Sequence, residues 1–164
     1  MSRFKVINHV LYYGDGVKAA QRPSPNHGGS ISPRLIIIHF TGDDNLEGAL
    51  SWLRSPESGV SAHLVIAKDG EVYQLVPFNL RAWHAGASSY DGEEGVNAFS
   101  IGIENVGNGK SWPEAQVEAN RAVVEALFAA YPIEDVVGHE DVAPGRKHDP
   151  GPNYPWSEVV DEVD

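Results

Sequence analysis

Hydrophobic residues fall in short runs along the chain, separated by polar segments that are rich in glycine and proline. The most compact run, at residues 34–39, is dominated by isoleucine, which is typical of a strand buried on both faces. The dipeptide Asp69-Gly70 stands between two other runs and indicates a hairpin turn. Together the pattern predicts strands at residues 34–39, 62–67, 71–76, 99–106 and 135–138.

Helical spacing of apolar residues predicts helices at residues 46–54 and 113–131, and a short closing helix at 157–163. Asn45 is placed to cap the first helix, and Pro113 to open the second. Strands and helices alternate, but the hairpin requires an antiparallel pair. We therefore predict a single α/β domain with a central mixed β-sheet and helices packed on its faces.

The first 33 residues differ in composition from the rest of the chain. From residue 13 onward they are rich in glycine, proline, serine and asparagine, which predicts a long surface loop. We divide the single domain, residues 1–164, into an N-terminal extension and loop (1–33), a core (34–156) and a C-terminal helix (157–164).

The chain has 164 residues, a net charge of −11 and no cysteine. A negative protein repels phosphate, so no nucleic-acid partner is expected. The longest apolar run, at residues 35–38, is too short to span a bilayer, so no membrane partner is expected either. Polar residues near the start argue against a secretory signal, which predicts a cytoplasmic location. Without cysteine, only His, Asp and Glu remain as strong metal ligands.

Three such residues stand at or after predicted strand ends. His39 ends the first strand, His139 follows the last one, and Asp149 comes ten residues later. Two imidazoles and one carboxylate, with a position left for water, are the ligands of a catalytic zinc ion. A histidine at a strand end is also compatible with a hydrogen-bonded structural role, and spacing alone does not decide between the two.

Five segments in order along the chain resemble the N-acetylmuramoyl-L-alanine amidases, and the bacterial enzymes that recycle anhydro-muropeptides above all. They are residues 36–41 (IIIHFT), 60–66 (VSAHLVI), 81–86 (RAWHAG), 99–104 (FSIGIE) and 138–152 (GHEDVAPGRKHDPGP). Phage lysozyme-type amidases and peptidoglycan recognition proteins resemble the chain more distantly. The resemblance covers about residues 22–156 and implies the fold of those families.

The resemblance also implies roles for single residues. His39, His139 and Asp149 match the ligands of one Zn²⁺ ion per chain, Glu104 matches the catalytic carboxylate, and Lys147 matches the cation that stabilises the transition state. The phage branch tends to have cysteine at the third ligand position, so the aspartate favours the recycling branch. The implied substrate is peptidoglycan or a muropeptide, cut between muramic acid and L-alanine.

Several neighbours of these residues have two interpretations. His63 and His84 either contact the substrate, support the metal ligands, or are buried with satisfied hydrogen bonds. Trp83 is expected to form a wall of the site or part of the core. Arg81 and Asn97 are candidates for contact with the substrate peptide, and His148 is interpreted as a bystander next to Asp149.

Three alternatives remain open at this stage. An active amidase would act either in muropeptide recycling or as a phage endolysin that host lysis machinery brings to the wall. The chain would otherwise be a non-catalytic peptidoglycan-binding module, or a protein with a purely structural zinc ion, which would need neither Glu104 nor Lys147. In each case we expect a monomer.

Overall fold

The computed structural model describes residues 2–160. The strands are β1 (Phe4–Ile7), β2 (Val10–Tyr13), β3 (Ala20–Gln21), β4 (His27–Ser30), β5 (Leu35–Phe40), β6 (Leu64–Ile66), β7 (Val72–Gln74), β8 (Leu80–Ala82), β9 (Ser89–Tyr90), β10 (Glu93–Glu94), β11 (Ser100–Asn105) and β12 (Asp135–Gly138). The helices are α1 (Leu46–Arg54), α2 (Glu114–Ala130), α3 (His139–Val142) and α4 (Trp156–Val159), with a 3-10 turn at Val96–Ala98.

A six-stranded mixed sheet organises the fold, in the order β12-β5-β11-β6-β7-β3. Strands β12, β5, β11 and β6 are parallel, whereas β6 and β7 form the antiparallel hairpin that the Asp-Gly dipeptide predicted. The predicted mixed sheet with helices on its faces is thus confirmed. Because the four parallel strands end at one edge, residues that follow them meet there.

Both faces of this sheet are buried, and alternate residues of each strand serve different faces. Ile36 and Ile38 pack in a core with Val124 and Leu127 of α2. Leu35 and Ile37 face the opposite side, where Val96 and Phe99 cover them. A strand covered on both sides has no polar alternation, which explains the isoleucine run.

Helix α1 begins and ends where the sequence predicted it. The side chain of Asn45 accepts a hydrogen bond from the Gly48 amide at 2.9 Å and so caps the helix. Leu50 and Leu53 bury the inner face of the helix against Val65 of β6. Helix α1 therefore covers the same face of the sheet as the 83–99 loop.

Residues 2–33 form more than the extension and surface loop that their composition indicated, although more than half of residues 13–33 are exposed. Strands β1 and β2 form a hairpin whose Phe4 and Leu11 belong to the core beside α2. Ser24 and Asn26 are buried, and Asn26 donates to the carbonyls of Ser55 and Val60, both at 2.8 Å. Composition marked the turns here, but it does not reveal hydrogen bonds to residues so distant in sequence.

The chain ends differ slightly from the prediction. The closing helix α4 spans Trp156–Val159, and residues 161–163 of the predicted helix lie outside the described residues. Helix α3 was not predicted. Across residues 2–160, each helix is too short or too polar to cross a bilayer.

Candidate active site

The ends of β5 and β12 bring two histidines together. Gly138 pairs with Ile38, so His39 and His139 follow at the same end of adjacent strands. The loop after α3 then folds back, because the Glu140 amide donates to the Asp149 carbonyl at 2.9 Å. This bond places the Asp149 carboxylate beside both imidazoles.

The three side chains form a compact, buried group. His39 Nδ1 lies 3.0 Å from His139 Nδ1 and 3.2 Å from Asp149 Oδ2, and His139 Nδ1 lies 3.3 Å from the same oxygen. A tetrahedral ion with bonds of about 2.0–2.1 Å separates its ligand atoms by about 3.3 Å. The group therefore has the residue types and the spacing to hold a metal ion.

Hydrogen bonds on the far side of one ring support this interpretation. His139 Nε2 lies 3.0 Å from the carbonyl oxygen of Ala85, which only accepts hydrogen bonds. The neutral imidazole therefore carries its proton on Nε2 and directs the Nδ1 lone pair at His39 and Asp149. Metal-binding histidines commonly have this arrangement.

Burial shapes the charge of the group. Burial lowers the pKa of His39, and the neighbouring Asp149 carboxylate only partly opposes this. Burial would raise the pKa of Asp149, but the interactions of its carboxylate with the His139 and His39 rings outweigh burial, and the pKa lies below its usual value. A neutral imidazole and an ionised carboxylate are the forms that bind metal ions.

Glu104 stands beside this group on the neighbouring strand. It pairs in register with His39, and its Oε2 lies 4.0 Å from His39 Nδ1. Burial raises the pKa of Glu104 well above its usual value, and the charge of Asp149 adds to this, while Lys147 opposes it. Within residues 2–160, Glu104 Oε1 is buried and has no hydrogen-bond partner.

A cavity of about 500 Å³ opens directly over these groups. Glu104 and Lys147 both line it, together with all three metal-ligand candidates. Two tryptophans form apolar parts of its wall: Trp83 from the loop after β8, and Trp52 from α1. The cavity thus combines a carboxylate, a cation and a possible metal site with apolar surface.

The remaining candidates fall into two groups. His84 lines the cavity and contacts His39, and Asn97 Oδ1 accepts hydrogen bonds from the amides of His84 and Ala85, at 3.3 and 3.0 Å. Asn97 therefore holds the loop that carries Trp83 and His84. His148 is exposed at the cavity and lies outside the His39–His139–Asp149 group.

His63 and Arg81 are not among the described residues that line the cavity. His63 is fully buried; its Nδ1 accepts from the Gly102 amide at 3.0 Å, and its Nε2 donates to the Leu80 carbonyl at 2.8 Å. This corrects the interpretation as a substrate contact, because both ring nitrogens hold backbone segments together. Arg81 is exposed on β8, where its side chain runs alongside Gly28 of β4.

Trp52 is a residue of the site that the sequence analysis did not single out. Trp52 is 59% exposed, although tryptophan is usually buried. It lies off the leucine stripe of α1, and this position in the helical pattern is the sequence signal that could have identified it. Arg146 also belongs to the site, where it donates to the carbonyls of Ala85 and Ala87, at 2.6 and 2.8 Å.

Comparison with known proteins agrees with this geometry. The family described as N-acetylmuramoyl-L-alanine amidase matches residues 29–152, which is well over half of the chain. The chain belongs to this amidase family. One curated relative, the 1,6-anhydro-N-acetylmuramyl-L-alanine amidase AmpD of Citrobacter freundii, is 50% identical over 163 residues, covering 85% of this chain and 87% of the relative.

Solved structures of amidases share the fold. A crystal structure of a selenomethionine AmpD derivative is similar with a TM-score of 0.81 and 36% identity, covering 88% of this chain and 93% of that one. The endolysin amidase LysCS of Clostridium intestinale is similar with a TM-score of 0.73 and 27% identity, covering 89% of this chain and 95% of that one. This amidase thus shares its fold with an AmpD amidase and with an endolysin amidase. The fold alone therefore does not distinguish muropeptide recycling from lysis of the wall.

Proposed function

We propose that this amidase is a zinc enzyme that hydrolyses the amide bond between anhydro-N-acetylmuramic acid and L-alanine. The observation that carries the proposal is the meeting of His39, His139 and Asp149 with Glu104 and Lys147 in one cavity. A purely structural zinc site would commonly have four protein ligands and no need of the two further charged groups.

Zinc held by these three ligands would supply a Lewis acid that polarises the scissile carbonyl and favours ionisation of water. The chain's own residues do the rest. Glu104 removes the proton from the attacking water and later delivers it to the alanine nitrogen, as the bond between carbon and nitrogen breaks. Its unpartnered Oε1 is free to accept that proton.

Lys147 stabilises the negative charge that develops on the carbonyl oxygen during the reaction. Lys147 lines the same cavity as Glu104, where a fixed cation would stabilise an oxyanion more strongly than in water. Loss of one such group typically lowers the rate by about 100- to 1000-fold. Lys147 thus complements Glu104, which handles the proton.

The cavity walls suit the two halves of a muropeptide. Trp52 and Trp83 offer flat apolar surface for the sugar ring or for aliphatic parts of the peptide. The relative from Citrobacter freundii is named for a 1,6-anhydro substrate, which favours muropeptide recycling over lysis of intact wall. A recycling role would place the protein in the cytoplasm, and a monomer is sufficient because one chain supplies the whole group.

The endolysin similarity favours a second setting, in which intact peptidoglycan is the substrate. The test offers purified anhydro-muropeptide and intact sacculi side by side, with and without a chelator, and identifies products by mass spectrometry. We expect chelator-sensitive release of free stem peptide, fastest from the anhydro-muropeptide. Glu104→Gln should abolish release, whereas Glu118→Gln on the exposed side of α2 should not.

Each other result has a defined meaning. Faster release from sacculi would replace recycling by wall lysis. Zinc binding without cleavage of either substrate would contradict the amidase proposal and favour a peptidoglycan-binding module. Cleavage that survives complete removal of metal would contradict the zinc mechanism.

A further inference from the structure

His39 has a second ring nitrogen, and the proposed mechanism gives it no role. Its Nε2 lies 2.9 Å from Nδ1 of His84, and Nε2 of His84 lies 3.1 Å from the hydroxyl oxygen of Ser100. His39 is 1% exposed, His84 9% and Ser100 0%, so bulk water barely reaches these contacts. A line of hydrogen bonds therefore runs from the metal-ligand candidate into the sheet.

The direction of these bonds follows from the ligand role of His39. To bind a cation, its Nδ1 must present a lone pair, so the neutral ring carries its proton on Nε2. That proton is donated to His84 Nδ1. His84 then carries its own proton on Nε2 and donates it to the Ser100 hydroxyl oxygen.

We infer that His84 is a positioning residue, which fixes the tautomer and the ring orientation of His39 for metal binding. The inference rests on the proposed metal site and concerns its affinity rather than the chemical step. His84 contacts the ligand candidate His39 and is not itself one of the three ligand candidates. Partners of this kind typically change metal affinity by about 10- to 100-fold when they are removed.

The His84 ring packs directly against Gly102 of β11, where there is no side chain to displace it. Ser100, Gly102 and Glu104 are alternate residues of β11 and share one face of the sheet. A Cβ atom at Gly102 would lie 2.4–2.8 Å from three ring atoms of His84, closer than real contacts allow. Glycine weakens a strand interior, so its presence here indicates close approach of another group, and that group is His84.

One loop supports both imidazole ligands in different ways. The side chain of His84 contacts His39, whereas the carbonyl of the next residue, Ala85, accepts from His139. Arg146 donates to the same carbonyl and holds it in place. A substitution of His84 removes the acceptor for His39 and leaves the backbone carbonyl of Ala85 in place. The contact between His84 and His39 can therefore be tested separately.

The experiment measures zinc affinity of metal-free protein by competition with a chromogenic chelator. His84→Leu keeps the bulk but removes the acceptor, and we expect about 10- to 100-fold weaker zinc binding. His84→Asn offers an amide oxygen near the former Nδ1, so we expect most of the affinity to return. The absorption bands of Co²⁺ in place of zinc should shift in the leucine variant and remain close to parental in the asparagine variant.

A second variant reaches the same contact without changing the histidine. Gly102→Ala should displace the His84 ring and weaken zinc binding by about 10-fold or more. Gly29→Ala in β4 is the matched control, because a Cβ there meets no atom within 4 Å. The thermal midpoint of each metal-free variant, compared with the parental protein, separates metal affinity from loss of folding.

The outcomes are distinct. Parental zinc affinity in both His84→Leu and Gly102→Ala would overturn the inference while leaving the amidase proposal intact. Equal losses in the leucine and asparagine variants, in step with their thermal midpoints, would overturn it in favour of plain packing. If His84→Leu does not fold, Gly102→Ala with its control decides. Parental protein that binds no zinc would overturn this inference together with the zinc mechanism.

Discussion

His139 and His148 lie in the same segment of the chain, yet their rings have different surroundings. His139 is buried, with one nitrogen on the Ala85 carbonyl and the other directed at His39 and Asp149. His148 is exposed beside the same cavity. Residue type is identical in the two cases, so burial and partners distinguish a ligand from a bystander.

Exchange of each histidine should have very different effects. His139→Ala is expected to abolish tight zinc binding and stem-peptide release, because it removes one of three ligand atoms. His148→Thr should leave zinc affinity within about 3-fold, since exposed side chains contribute little. Chelator competition measures both. A large loss in His148→Thr, or full activity of His139→Ala with zinc present, would show that the wrong histidine is assigned.

The raised pKa of Glu104 makes a second prediction, which concerns stability. The folded state holds this proton more tightly than the unfolded state, so the favourable contribution is complete below about pH 4.5 and is lost as pH rises through the folded-state pKa. In metal-free protein at pH 8, Glu104→Gln should therefore raise the thermal midpoint by about 2–4 °C. The difference should vanish at pH 4.

The same substitution should stop catalysis, since glutamine cannot remove a proton. Stability and activity thus move in opposite directions at one residue, as expected where a buried charge serves function. Thermal unfolding at the two pH values, in the presence of a chelator, tests the stability part. A midpoint that falls at pH 8 would contradict the pKa argument, whatever the effect on turnover.

At the scale of elements, α1 presents two different faces. Its leucines pack against the sheet, while Trp52 points away from that stripe and lines the cavity at 59% exposure. An aromatic ring left in solvent contributes little to folding. Helix α1 therefore contributes to the cavity wall as well as to the core.

Trp52→Ala should raise KM for anhydro-muropeptide by about 3- to 10-fold and leave kcat and the thermal midpoint nearly unchanged. The reason is that the ring lies on the cavity wall, where a bound substrate would contact it, and does not belong to the core. Val17→Ala is the control, because Val17 is also 59% exposed and is not among the described cavity residues. Steady-state kinetics of both variants decide. An equal effect in the control, or a fall in kcat alone, would exclude the wall role.

Single elements also show where sequence patterns succeed. Strand β12 and helix α1 have the predicted bounds, because turn residues, a cap and hydrophobic periodicity are local signals. Strands β6 and β7 are shorter than predicted, although their pairing is as expected. Strand β4 was missed, because its residues, His27-Gly28-Gly29-Ser30, carry no apolar alternation.

At the scale of the whole molecule, buried polar groups connect the C-terminal segment to the site. The Tyr154 hydroxyl donates to Asn120 Oδ1 at 2.8 Å, and the Asn120 amide donates to Asn105 Oδ1 at 2.7 Å. Asn105 in turn donates to the backbone carbonyl of His39 at 3.2 Å. This chain of bonds joins α2, β11 and β5 behind the metal-ligand candidates.

Asn120→Ala should lower the free energy of unfolding by roughly 2–4 kcal/mol, because it leaves buried groups of Asn105 and Tyr154 without partners. Tyr154→Phe removes only the hydroxyl and should lower it by about 1 kcal/mol. Urea unfolding of both variants measures the difference. A loss for Asn120→Ala no greater than that of the surface variant Glu118→Gln would show that the network does not support the fold.

The sequence by itself determined five of the six strands of the main sheet, the two main helices and the ligand types. Periodicity, turn chemistry and the absence of cysteine are properties of neighbouring residues or of composition. Its motifs also indicated the family. Only the tertiary structure decided that Phe4 and Leu11 are part of the core, that His63 bonds to backbone while His84 contacts His39, and that Trp52 lines the cavity. These facts depend on contacts between residues far apart in the chain, and no local pattern encodes such contacts.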